Sequence, residues 1–414
     1  MKDEILAHIN EPRELEKMYR NNKAPFKREF SSLYPQVKGN AIADFWNERL
    51  NYEGDEISWG SGRELVFVLI ASLVGGVIAK LPALLNIDED FFYPRNLGFT
   101  IFPVLAFYFA WKNKLSAGKS AFILVATLAG LVFINLLPDV ENSDTLILSC
   151  IHLVLFLWSI MGFAFVGEYR NNEEKRINFL KFNGDLVVMT TLIVITAGIL
   201  SGITIGLFSL IGFNIEKFYF ENIVQFGLPA APIIGTYLTR TNPQLVSKVS
   251  PVIAKIFSPL VLVMLVVYLV AMVYSGKNPY NDREFLLIFN ALLIGVMAII
   301  FFSIAETSGE TKSKAGLWVL FLLSIITVIV NVIALSAILF RISEFGITPN
   351  RAAVFGGNLL ILINLVLVTI QFFKIISNKG NITRVRNTIT YYLPVYFFWT
   401  IIVTFIFPLI FGFK

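Results

Sequence analysis

Residues 145–166 read TLILSCIHLVLFLWSIMGFAFV, twenty-two consecutive positions without an Asp, Glu, Lys or Arg. A helix of that length rises about 33 Å, which matches a hydrocarbon core of about 30 Å. The run has no polar stripe at the 3.6-residue period of a helix with one wet face, so it reads as a membrane span. Blocks of the same kind recur at roughly 65–85, 97–111, 120–137, 186–213, 223–238, 257–275, 285–305, 316–340, 352–373 and 389–411, which makes eleven. The expected fold is therefore all-α: a polytopic transmembrane helical bundle of about eleven spans over residues 64–414, after a short N-terminal cytosolic helical region, residues 1–63. The chain's composition agrees, since 56% hydrophobic and only 15% charged residues, with a mean hydropathy of +0.70, lie outside the range of soluble domains.

Three blocks depart from a simple span. The second, 97–111, is short for the bilayer. The sixth carries Pro229 and Pro232 near its middle and is expected to kink or to break into a re-entrant segment that marks a site. The fifth exceeds the usual length and repeats Gly198, Gly202 and Gly206 at intervals of four, a spacing that predicts a helix-packing face.

Lys and Arg set the orientation. With the N-terminus inside, the inner loops hold Lys112, Lys114 and Lys119; Arg170, Lys175, Arg176 and Lys181; Arg240, Lys248 and Lys255; Lys312 and Lys314; and Lys374, Lys379, Arg384 and Arg386. That is about sixteen against about seven outside, and two outer loops, NIDEDFFYPRN and PDVENSD, are acidic. The expected topology is N-terminus cytoplasmic and C-terminus outside. The first residues are charged and lack the apolar run of a cleavable signal, so the first span is expected to act as the insertion signal. Between them and that span, Pro12, Pro25 and Pro35 punctuate two to four short helices. Their Phe26, Phe30, Leu33, Tyr34, Phe45 and Trp46 can form a small core, dock on the membrane surface or hold a cytosolic protein partner.

Signatures of chemistry are sparse. Cys150 is the single cysteine, and His8 and His152 are the only histidines, so the sequence points to no metal and no cofactor. There is no HExxH, GxSxG or Walker A; Gly118-Lys119-Ser120 has Asn113 where a phosphate loop needs its first glycine. The basic residues are dispersed among loops, which fits membrane topology and argues against a nucleic-acid partner.

What remains is polar residues at membrane depth, which are neutral apart from Lys80, close to the outer end of the first span. Gln225, Pro229, Pro232, Asn358, Asn364 and His152 form a candidate mid-membrane polar path, with Asn135, Asn290, Asn331 and Gln371 as further members; interhelical hydrogen bonding accounts for the same residues. Two outer loops, KNPYNDREF and RISEFGITPNR, offer Asp282, Arg283, Arg341, Glu344, Asn350 and Arg351 as a candidate anion or ligand site; ion pairing and helix capping are the competing roles.

The stretches FGITPNRAAVFGGNLLILINL and NPYNDREFLLIFNALLIGVMAI resemble a large bacterial family of polytopic membrane proteins classed as a domain of unknown function. The resemblance covers the C-terminal half and implies a bacterial inner membrane protein; it transfers no catalytic or binding residue. Three functions stay open: a transporter or channel for a small solute or lipid, a non-catalytic accessory or sensory protein that docks a partner through its N-terminal region, and a lipid-modifying enzyme.

Overall fold

The computed structural model describes residues 2–21, 23–51, 60–140, 142–167, 172–210, 213–247, 249–275, 283–305 and 314–414. Among these residues all regular structure is helical and there is no strand. The chain divides into two compact units, Met1–Ser58 and Trp59–Lys414.

The first unit holds α1 (Lys2–Ala7), α2 (Pro12–Asn21), α3 (Lys23–Val37) and α4 (Ala41–Asn51). Pro12 opens α2, where its missing N–H costs nothing, and the Asn40 side chain caps α4 by accepting from the N–H groups of Ile42 and Ala43. Ile5, Leu15, Phe26, Phe30, Leu33 and Trp46 are buried together, whereas Phe45 is 60% exposed. Arg49 stacks 4.6 Å over the Trp46 ring and pairs with Glu16 at 2.7 Å. A hydrogen bond from Arg20 foremost, with a second from Arg49, holds the Glu16 carboxyl below its ordinary range.

In the second unit, α5 (Gly62–Leu85), α6 (Glu89–Asn96), α7 (Phe102–Lys112), α8 (Ala117–Leu136), α9 (Asp144–Val166) and α10 (Glu173–Leu210) lead to α11 (Glu216–Tyr219), a π-helical turn (Phe220–Val224) and α12 (Gln225–Thr241). Then come α13 (Gln244–Ser247), α14 (Val249–Ser275), α15 (Arg283–Ala305), α16 (Lys314–Phe345), α17 (Pro349–Ile376), α18 (Ile382–Ile401), a second π turn (Ile402–Ile406) and α19 (Phe407–Ile410). Seven of these stretches are long and apolar enough to cross a membrane: Gly62–Leu85, Ala117–Leu136, Asp144–Val166, Glu173–Gly206, Lys314–Phe345, Pro349–Ile376 and Ile382–Ile410. They identify the chain as a membrane protein. The other four apolar blocks are helical too, but α7 and α12 are short and only parts of α14 and α15 are described in full.

Caps fix the span ends. Ser61, Ser143 and Thr348 accept from the N–H groups of Glu64, Leu146 and Arg351 at the starts of α5, α9 and α17, and Gly167 closes α9 in the left-handed region at φ 75°. The two largest apolar cores among the described residues lie in this unit. One gathers Phe99, Leu105, Phe109, Phe156, Ile160 and Ile233 from α5–α9 and α12; the other gathers Leu265, Phe289, Leu293, Val330, Leu365 and Phe372 from α14–α18.

Of the two forms expected for the sixth block, the backbone is not broken: it stays helical from Glu216 to Thr241, and its π turn adds one residue per turn ahead of Pro229 and Pro232. Among the described residues nothing packs against the face of Gly198, Gly202 and Gly206. A Cβ added at any of them has no neighbour within 4 Å among the described residues, and only 6% of the most apolar window of α10 is buried. Close backbone approach occurs at other glycines. A Cβ on Gly76 would strike Phe226, one on Gly184 would strike Phe302, and one on Gly356 would strike Trp399.

Candidate functional site

The discontinuity lies in the second apolar block. From α6 the chain passes through a single 3-10 turn, Leu97–Thr100, then Ile101 leaves helical geometry at φ −124°, ψ −59°, and α7 begins with Pro103 in its first turn. Proline supplies no N–H to the Phe99 carbonyl, so the helical hydrogen bond across the break is missing. The Thr100 hydroxyl donates to Leu97 O at 2.6 Å. Gly75 of α5 admits the turn: a Cβ there would stand 2.7 Å from the Thr100 carbonyl oxygen and 3.3 Å from Pro229 of α12. Three elements therefore meet at one glycine.

Polar side chains gather on one side of this junction. The Gln225 amide donates to Tyr93 Oη at 2.8 Å and to the Ala79 carbonyl at 3.2 Å, and Tyr93 donates to the same carbonyl at 3.2 Å. Lys80, half-buried, donates to Asn222 Oδ1. Asn96 and Asn135 exchange a reciprocal pair of amide hydrogen bonds, each 2.9 Å. Arg95 has a side chain only 2% exposed; it reaches Asp139 at 3.0 Å, donates to Phe91 O and leaves Nε without a partner. Tyr93, Arg95 and Asn96 escaped the sequence reading because NIDEDFFYPRN looked like an acidic loop. Its usable signal was Asp88, which caps α6 by accepting from Phe91 N–H.

The opposite end of the same helices carries a second cluster. Glu64 Oε1 accepts from Tyr108 Oη at 2.5 Å and from Lys112 Nζ. Beside it opens a cleft of about 810 Å³ whose lining includes Arg63, Phe67, Phe107, Trp111, Lys112 and Lys114. The α7–α8 loop is tied to α9: Asn113 donates to Ala164 O and Phe165 O, each at 2.9 Å, and Lys119 donates to Gly167 O at 2.5 Å. Asn113 and Lys119 thus satisfy carbonyls at the end of α9. A smaller groove of about 180 Å³, mostly apolar, lies among α8, α9, α10 and α18 and includes Phe122, Trp158 and Phe397.

The remaining candidates are placed apart. Asn358 donates to Asn290 Oδ1 at 2.8 Å while its carbonyl accepts from Asn331 at 3.1 Å, which links α15, α16 and α17. Asn364 donates to Tyr396 Oη at 3.0 Å. Their partners lie on α15, α16 and α18, whereas Gln225 reaches Ala79 and Tyr93 of α5 and α6, so the described residues do not assemble the expected path as one. His152 Nδ1 bonds Leu148 O of its own helix at 2.9 Å, and Pro232 O accepts from Thr236. Arg351 caps α16 by donating to Phe345 O and Gly346 O at 2.8 and 2.7 Å. Arg341 keeps a buried Nη1 without a hydrogen bond, Glu344 is exposed and Asn350 half-buried. Asp282, and the side chain of Arg283 at the start of α15, lie outside the described residues. No group of three His, Cys, Asp or Glu gathers among the described residues. Comparison with protein-family models, curated proteins and solved structures finds no match to this chain.

Proposed function

We propose that the chain is a bacterial inner-membrane transporter or channel for a small solute or lipid, with eleven spans, the N-terminus cytoplasmic and the C-terminus outside. In this reading α6 and α7 together make the second span, and the path passes their break. The observation that carries it is the interrupted second segment, docked on Gly75 and bordered by Lys80, Tyr93 and Gln225. Non-helical backbone at membrane depth persists where protein or a wet cavity satisfies it, and such breaks are where transporters place their ligands. The basic end of the bundle, with Arg63, Lys112, Lys114 and Lys119, supports placing that end in the cytoplasm.

A test uses the lone cysteine. In a Cys150→Ser background, Thr100→Cys and Gln225→Cys should each react with a small membrane-impermeant thiol reagent from at least one side. If both stay unreactive from both sides while an exposed loop cysteine labels, the path is absent. The accessory role would then lead, since the Asn290, Asn331, Asn358 and Asn364 contacts are those of a packed bundle.

A further inference from the structure

The cleft at the basic end has a composition that the solute path does not use. It is lined by three cations, Arg63, Lys112 and Lys114, and by the single carboxylate Glu64. That carboxylate is already engaged, since one of its oxygens accepts from both Tyr108 and Lys112. Arg63 and Lys114 are exposed, and neither has an ion-pair partner among the described residues. Among the described residues, the cleft therefore presents positive charge that no further carboxylate balances.

Its walls add a second character. Phe67 and Trp111 stack with ring centroids 5.2 Å apart and planes 3° from parallel, and Trp111 and Phe107 are 46% and 37% exposed. One turn into α5 from Arg63, the exposed residues become Val66, Leu69 and Ile70. Charge and aromatic surface thus meet where the apolar flank of the bundle begins, the level at which Trp and basic side chains face lipid headgroups.

We propose that this cleft binds the phosphate of an anionic phospholipid, with Arg63 and Lys114 on the phosphate and the start of the acyl chains along Phe67, Phe107 and Trp111. A phosphate gains charge-assisted hydrogen bonds from both cations, and the aromatic wall selects an amphiphile over a free anion. The site is separate from the α6–α7 break and stands whatever crosses there.

The test is thermal unfolding of the purified full chain in a neutral detergent, titrated with dioctanoyl phosphatidylglycerol, dioctanoyl phosphatidylcholine or inorganic phosphate. The anionic lipid should raise the unfolding temperature in a saturable way, and the other two should raise it little. Arg63→Gln with Lys114→Gln should weaken the lipid effect at least about tenfold, the loss of roughly 1.4 kcal/mol of binding. Ser120→Glu, which leaves every cation in place and adds a carboxylate to the lining, should weaken it in the same way. Equal response to phosphatidylcholine, or an unchanged response in both variants, overturns the site. A response to inorganic phosphate as strong as to the lipid overturns the amphiphile and leaves a soluble anion as the ligand.

Discussion

Gly184 and Gly202 stand on the same helix, and only one is needed as glycine. A Cβ on Gly184 meets the Phe302 ring, whereas a Cβ on Gly202 meets open space. Gly184→Ala should therefore lower stability by about 1–3 kcal/mol through overpacking, and Gly202→Leu should change it by less than about 0.5 kcal/mol. Melting temperatures of the two purified variants decide, and the opposite order would refute the packing described for α10. Spacing alone could not show this, because intervals of four define a face without saying what covers it. Arg95 makes a second prediction of the same kind. Its buried guanidinium needs Asp139, but Asp139 at 68% exposure has water. Asp139→Ala should cost about 1–3 kcal/mol by stranding a charge donor, and Arg95→Met should cost less. Equal losses in thermal unfolding would show that the pair is not what holds α6.

At the scale of elements, hydropathy located every apolar block, because burial in lipid demands long unbroken runs and the sequence displays them. It left a kink or a break open in the sixth block and read the second only as short. Pro229 and Pro232 sit in a helix that absorbs them after a π turn, while the backbone leaves helical geometry at Ile101, two residues before Pro103 at the start of α7. The partner that makes a break tolerable, Gly75 on another helix, has no local signature. Gly75→Val should therefore disturb α6–α7 more than a valine at Gly227, where a Cβ has no neighbour within 4 Å among the described residues. Hydrogen exchange of residues 97–112 checks this, and equal protection in both variants would contradict it. In the N-terminal unit, the lowered Glu16 carboxyl adds stability that is complete above about pH 4.3 and is lost as pH falls through its lowered value. Protection of α2–α4, corrected for intrinsic exchange, should decline on acidification in the wild type and vary less with pH in Glu16→Gln. An identical decline in both would remove Glu16 from the account.

At the scale of the molecule, the helical class and the membrane were legible because composition and block length determine them. The sites were less so. The sequence offered Gln225, Asn358 and Arg351 on equal terms, and only the packing of helices distant in sequence assigned Gln225 to the break, Asn358 to an interhelical amide link and Arg351 to a helix end. The Glu64, Tyr108 and Lys112 cluster was hidden for the same reason, since its members are 44 and 48 residues apart and belong to two helices. The account depends most on residues 89–112 crossing the bilayer as one discontinuous span. In a Cys150→Ser background, Ile87→Cys and Ser116→Cys can be probed with an impermeant thiol reagent applied to intact cells and to inverted vesicles. The account predicts that Ile87→Cys labels only from outside and Ser116→Cys only from the cytoplasmic face; labelling of both from one face would make α6–α7 re-entrant and invert the orientation of every later helix.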